Sequence, residues 1–267
     1  MHRQIETETW HHGVIAHWWA EFLHGGSEVD YLRPLIERYG QPALDVGCGT
    51  GRLLLPYLRA GLDVDGVDVS ADMLAWCAKA ARNEGFTPAL YCQALHELEV
   101  PRRYRTIYLC GVFGIGAERS QDEEGLSRVL QHLEPGGAVV INHYMGWQDA
   151  KVWQYFLPDV RAQLPEPLPE PWATRPASDG SAMRLRSRVV EFDPVVPSLT
   201  REMLAESFRD DVLVKQQIFR LRENIYFPNE LVLLLERAGF REVTVHNDHP
   251  ASTFAPEGCI YTIIARR

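Results

Sequence analysis

The chain has 267 residues, 46% of them apolar, and its 27 basic against 36 acidic side chains give a net charge of −9. That apolar content can bury a sizeable core, which excludes a disordered chain. The acidic surplus gains little from counterion release and argues against a nucleic-acid partner. Five cysteines at Cys48, Cys77, Cys92, Cys110 and Cys259 form no C-x-x-C pair, so neither a disulfide framework nor a cysteine zinc site is expected. No run approaches the roughly 18 to 20 apolar residues of a membrane span, and the polar start lacks an apolar leader core, so the expectation is a cytoplasmic protein without a membrane partner.

Taken in chain order, Trp18, Trp19 and Phe22 mark an amphipathic segment that is either core-facing or a lid. Residues 27–39 and 51–60 have helical patterns interrupted by Pro34 and Pro56, which predicts kinks or restarts there. Short apolar runs at 43–46, 64–67, 89–92, 106–110 and 138–141 read as five strands. Between them, Met73, Leu74, Cys77, Ala78 and Ala81 form one helical face behind the N-cap Ser70. Leu126, Val129, Leu130 and Leu133 form another, stopped by Pro135-Gly136-Gly137. This alternation predicts right-handed crossovers and a parallel sheet with helices on both faces.

Six prolines between Pro158 and Pro176 forbid a helix interior or central strand, leaving a solvated linker or an ordered segment crossing a site. Residues 183–192, 200–208 and 212–222 alternate as strands, with Asp210-Asp211 as a turn, which predicts an antiparallel insert after the fifth strand. Pro228 opens a last helix carrying Leu231, Leu234, Leu235 and Ala238, and Gly239 closes it. Strands follow at 243–245 and 260–265.

The chemistry centres on Asp45-Val46-Gly47-Cys48-Gly49-Thr50-Gly51-Arg52, between a strand and a helix. Glycines there let backbone N–H groups approach a ligand. Asp68 ends the next strand about 20 residues on, where a carboxylate can accept both hydroxyls of a ribose. The G-x-G-x-G spacing differs from the G-x-G-x-x-G of dinucleotide enzymes, which seat a pyrophosphate on the helix N-terminus.

In these residues the stretch 43–142 resembles the class I S-adenosylmethionine-dependent methyltransferases, in their small-molecule methyltransferase-domain branch. The acid and glycines match Asp45, Gly47, Gly49 and Gly51; the ribose acid matches Asp68; S-x-x-M-L matches Ser70, Met73 and Leu74; and P-G-G matches Pro135, Gly136 and Gly137. The resemblance implies a Rossmann-like, seven-stranded mixed α/β sheet and an enzyme that uses S-adenosylmethionine, yielding S-adenosylhomocysteine. It implies cofactor contacts from Asp45, Gly47, Cys48, Gly49, Gly51, Asp68, Val69, Met73, Ala94, Leu95 and Cys110. Where many members carry an acid for the adenine amine, this chain has Ala94; Gln93 either substitutes for it or merely ends a strand.

The [DN]-P-P-[YF] run of nucleic-acid amino-methyltransferases is replaced by Cys110-Gly111-Val112-Phe113, and Asn142-His143 stands where metal-dependent relatives place an Asp-Asn pair, so no metal is expected. The expected acceptor is a small polar molecule methylated on nitrogen or oxygen. A non-catalytic S-adenosylmethionine-binding protein and a protein methyltransferase are the alternatives. His143, just past the fifth strand, is the candidate general base, or a structural histidine; Tyr144 is a second catalytic candidate. Trp18, Trp19, Trp147, Arg188 and Tyr226 are candidate substrate contacts, with Arg184 and Arg186 beside Arg188 on a face that is otherwise simply solvated. The expected organisation is a helical cap at 1–41, a cofactor domain at 42–147 and 225–267, and a crossing segment with an antiparallel insert at 148–224, acting as a substrate lid. The oligomeric state stays open.

Overall fold

The computed structural model describes residues 9, 11–144, 149–247 and 259–267. Two helices, α1 (Gly13–Phe22) and α2 (Ser27–Tyr39), precede β1 (Ala43–Val46). The alternating part continues as α3 (Leu54–Arg59), β2 (Val64–Asp68), α4 (Ala71–Asn83), β3 (Leu90–Cys92), β4 (Tyr104–Cys110), α5 (Arg119–His132) and β5 (Leu133–Tyr144). Two single-turn helices follow, α6 (Ala150–Trp153) and α7 (Pro158–Arg161), then β6 (Arg175–Pro176), β7 (Ala182–Asp193), β8 (Ser198–Arg209) and β9 (Val212–Asn224). The chain closes with α8 (Pro228–Ala238), β10 (Arg241–His246) and β11 (Ile260–Arg266).

The main sheet has seven strands in the order β10-β11-β5-β4-β1-β2-β3. The pairs of β1 with β2 and β4, of β2 with β3, and of β4 with β5 are parallel; β11 lies antiparallel to both β5 and β10. Every residue of β1 and β2 is buried, as a parallel strand covered on both faces requires. Leu44 and Val46 point to one face, against α5 and α8 through Leu126, Leu231 and Leu235. Ala43 points to the other, with Leu32 of α2, Tyr57 of α3 and Cys77 of α4. Strand order reverses around β1 and β4, and a crevice opens beyond their carboxyl ends at such a switch point.

The two expected proline interruptions resolve differently. α2 runs through Pro34 unbroken. Pro34 and Asp30, whose carbonyl loses its helical donor, are both exposed, so the lost bond falls on the solvent side while Leu32 and Ile36 hold the buried face. α3 restarts at Leu54, which puts Pro56 in the first turn, where no N–H is needed. Gly239 caps α8 in the left-handed conformation.

The insert is a separate antiparallel sheet, β6-β7-β8-β9. Asp210 and Asp211, at φ of 51° and 61°, close the β8–β9 hairpin; side chains that tolerate the left-handed region suit this tight turn. The proline-rich segment is ordered along the β7 edge, with the Glu166 N–H donating to the Val189 carbonyl at 2.9 Å. α1 ties the two sheets together. Its first N–H groups donate to Asp72 of α4 (2.7 Å) and to Gln217 of β9 (2.9 Å), and Val14 and Ile15 pack on Met183 and Ala205 of the insert.

Candidate functional site

A cavity of about 960 Å³ runs from the β1–α3 loop to the inner side of the insert. Gly49, at φ +56°, stands on its wall, and a Cβ there would lie 3.3 Å from the Met73 methyl. Gly51 is different. A Cβ on it would meet the Cys77 thiol at 2.9 Å and Leu55 at 3.0 Å, on the side that packs against α3 and α4. Gly51 thus permits close helix packing and is not on the wall of this cavity, whereas its neighbours Thr50 and Arg52 are.

Asp68, at the end of β2, holds the loop. Its two oxygens accept from the Gly49 N–H at 2.9 Å and the Ser70 N–H at 2.8 Å, while burial raises its pKa and those two bonds oppose the rise. Ser70 caps α4 by accepting from the Met73 N–H. Asp45 alternates toward the α2–α3 face. Burial pushes its pKa up to about 7, against the pull of the nearby Tyr108 hydroxyl and Arg52 guanidinium, and its Oδ2 has no hydrogen-bond partner. From α2, Glu28 contributes a second unpartnered buried oxygen, Oε2, while its Oε1 lies 3.2 Å from Arg52. Arg52 also donates to the Gly25 carbonyl at 2.8 Å. Sequence reasoning missed Glu28; its place just before the buried stripe of α2 was the available signal.

Val69, Met73, Ala94 and Leu95 line an apolar stretch of the same cavity, with Gly47, Cys48 and Cys110 beside them. Burial pushes the Cys110 thiol up to about 12, so it is no nucleophile. Gln93 is not available to replace the missing acid at Ala94. Its amide clasps the Glu99 backbone, accepting from the Glu99 N–H at 2.9 Å and donating to the Glu99 carbonyl at 3.0 Å.

The insert end is built from side chains. Tyr144 donates to Asp149 and Tyr155 to Glu166. Asp149 also accepts from the Lys151 N–H at 2.8 Å, and Glu166 from the Val189 N–H at 2.9 Å. Arg201 of β8 donates through Nε to Glu223 of β9 at 3.0 Å. His11 and Trp19 close the cavity from the N-terminal side; burial lowers the His11 pKa to about 4.

Of the remaining candidates, His143 lines the cavity with its Nε2 accepting from the Tyr226 N–H at 3.3 Å; burial, helped by Arg119 and opposed by the Phe113 backbone, lowers its pKa to about 4. A neutral imidazole whose Nε2 is used this way can serve as a brace for the Tyr226 backbone, the structural alternative to the general-base expectation. Tyr226, expected as a substrate contact, is fully buried outside the cavity lining, its hydroxyl donating to Asp122 at 2.7 Å. Trp18 packs on Phe22 beneath Arg175, away from the cavity, whereas Trp19 reaches it. Arg188, expected as a substrate contact, donates to Glu202 at 2.6 and 2.9 Å, within a ladder on the insert sheet that also pairs Arg184 and Arg186 with Glu206. Trp147 lies outside the described residues. Among the described residues no group of three or more metal-ligating side chains gathers, and no helix is long and apolar enough to cross a membrane.

Residues 43–137 match the methyltransferase domain family. The chain is 30% identical over 132 residues to a dTDP-3-amino-3,6-dideoxy-alpha-D-glucopyranose N,N-dimethyltransferase of Streptomyces fradiae, covering 45% of this chain and 50% of that one. It is 33% identical over 105 residues to a ubiquinone biosynthesis O-methyltransferase of Bradyrhizobium, covering 39% and 40%. The chain spans about half the length of the curated relatives it matches. The fold is that of an S-adenosylmethionine-dependent methyltransferase from Clostridium acetobutylicum, with a TM-score of 0.68 over 90% of both chains at 15% identity.

Proposed function

We propose that this chain, which carries a class I methyltransferase domain at residues 43–137, is an enzyme that transfers a methyl group from S-adenosylmethionine to the nitrogen of a small, polar amine. The observation that carries the reading is the charge of the cavity wall. Among the described residues its lining holds seven carboxylates (Glu28, Asp45, Asp68, Asp122, Asp149, Glu166 and Glu223) against three cationic side chains (Arg52, Lys151 and Arg201). A cavity so acidic favours a cationic donor and an acceptor that arrives as an ammonium in equilibrium with its free amine.

The residues present suit the donor. The left-handed Gly49 leaves room for a ligand against the backbone, Asp68 keeps lone pairs for ribose hydroxyls, and the unpartnered oxygens of Asp45 and Glu28 suit an ammonium. Val69, Met73, Ala94 and Leu95 offer an apolar slot for a base. When bound, S-adenosylmethionine supplies a sulfonium methyl that an amine lone pair attacks in line, so alignment and desolvation dominate the rate. The chain's part is to bind, to orient, and to exclude water with the 1–41 cap and the 148–224 insert. His143 braces the Tyr226 backbone through Nε2 and takes no proton. The N-methylating relative from Streptomyces fradiae supports an amino sugar as one acceptor to try first.

Incubation with methyl-labelled donor and a panel of small amines and matched alcohols tests the reading. Label on nitrogen of a small amine is the expected product. Label only on oxygen, or S-adenosylhomocysteine binding without turnover on any member or on a metabolite extract, would overturn it.

A further inference from the structure

We propose that the acceptor carries, besides its amine, an anionic oxygen group, a carboxylate or a phosphate ester, and that Arg201 with Lys151 binds it at the insert end of the cavity. The inference rests on the reading of the cavity as a methyl-transfer site. It follows from counting which hydrogen-bonding groups there are already used. The three carboxylates each accept from the protein: Asp149 from Tyr144 and the Lys151 N–H, Glu166 from Tyr155 and the Val189 N–H, and Glu223 from Arg201. Both tyrosine protons are spent on those carboxylates. What remains uncommitted among the described residues is a set of donors. Arg201 uses only Nε, so both terminal nitrogens of its guanidinium are without a partner, and the Lys151 ammonium makes no ion pair.

The placement of Arg201 sets it apart from its neighbours. Arg184, Arg186, Arg188 and Arg220 are matched to Glu206 and Glu202, and Arg222 is matched to Glu118 through both carboxylate oxygens. None of these five lines the cavity; Arg201 does. It sits mid-sheet, paired in register with Val189 of β7 and Leu221 of β9, and its Nε is pinned by Glu223. A guanidinium pinned at Nε presents its two terminal nitrogens as a fixed fork, the geometry that takes a carboxylate or phosphate bidentately. Lys151, the second residue of α6, adds a point charge on a long side chain. The acid-rich wall formed by Asp45, Asp68, Asp122 and Glu28 then faces the donor and the amine. A molecule with a cationic and an anionic end is thereby given one orientation, which is what in-line transfer needs.

The test titrates inorganic phosphate and, separately, acetate into the protein saturated with S-adenosylhomocysteine, for wild type, Arg201→Gln and Arg201→Lys, with thermal melts to confirm folding. The expected result is saturable binding of at least one anion to wild type. Loss of the guanidinium in Arg201→Gln should weaken it by roughly tenfold or more, and Arg201→Lys should keep part of it. Tighter phosphate than acetate assigns a phosphate ester; the reverse assigns a carboxylate. No binding of either anion, or binding that Arg201→Gln leaves unchanged, overturns the proposal. S-adenosylhomocysteine affinity is measured in the same series. If wild type fails to bind it, the donor reading fails, and the anion titration of the free protein still reports on Arg201. If Arg201→Gln weakens S-adenosylhomocysteine as much as phosphate, Arg201 serves the donor and the proposal is likewise overturned.

Discussion

The two ends of the cavity are made by different means. At the end proposed for the donor the decisive groups are backbone: a loop that turns through glycine at Gly49, and N–H groups tied to Asp68 at 2.9 and 2.8 Å. At the insert end they are side chains on paired strands, with Tyr144–Asp149, Tyr155–Glu166 and Arg201–Glu223 each joining residues brought together by folding. A backbone site tolerates almost no change where it turns. A side-chain site can change its residues while keeping its sheet, and the contrast predicts where the chain is brittle and where it is tunable.

The most damaging single change should be Gly49→Val. A β-branched residue at φ +56° is strained, and its branches would enter the space beside Met73. S-adenosylhomocysteine binding should fall by about 100-fold or more while the circular dichroism spectrum stays mixed α/β. Retained binding would place the donor elsewhere. Asp68→Ala comes next. It removes a ribose acceptor and unties the Gly49 and Ser70 N–H groups, and charge-assisted bonds of about 1.5–3 kcal/mol each predict at least a tenfold loss of donor affinity by calorimetry.

His143→Asn should have the smallest effect on turnover. Its folded pKa of about 4 lies below the free value of 6.5, so the histidine's contribution to stability is full above pH 6.5 and is lost as pH falls toward 4. The variant should lower the melting temperature and flatten that acid dependence, with kcat altered by less than about threefold because no proton passes through it. A fall of about 10² or more in kcat with an unchanged melt would restore it as a base.

The same contrast explains what could be read from sequence. Left-handed glycines, an N-cap at Ser70 and an acid at a strand end are local requirements, and a local requirement leaves its mark at a fixed offset. The five parallel strands and the insert hairpin at Asp210-Asp211 were legible for that reason, and so was the gathering of Asp45, Gly49, Asp68 and Met73 on one cavity wall. At Gly51 spacing alone does not separate a glycine needed for packing from one needed for a ligand; the structure shows Cys77 and Leu55 against it. Arg188 and Arg201 could not be told apart by spacing. Register decides that Arg188 faces Glu202 and Arg201 faces Leu221, and the pleat then decides which one reaches the cavity. Tyr226 and His143 show the same limit: the Tyr226 hydroxyl is used by Asp122, 104 residues away in sequence, and the His143 Nε2 by the Tyr226 N–H, 83 residues away, partners that no local spacing reveals.

The central claim is that an acid-lined cradle at the end of β1 receives a cationic donor. In the free protein, burial raises Asp45 from 3.8 to about 7, so its contribution to stability is full below pH 3.8 and is lost as pH rises through about 7. An ammonium bound beside its unpartnered oxygen favours the anion and reverses that preference. Titration calorimetry with S-adenosylhomocysteine from pH 5 to 8, in buffers of differing ionisation enthalpy, measures this directly. The account predicts one-to-one binding that tightens as pH rises to about 7, with proton release that disappears in Asp45→Asn. Absence of binding, or binding that is indifferent to pH and to Asp45→Asn, would contradict it.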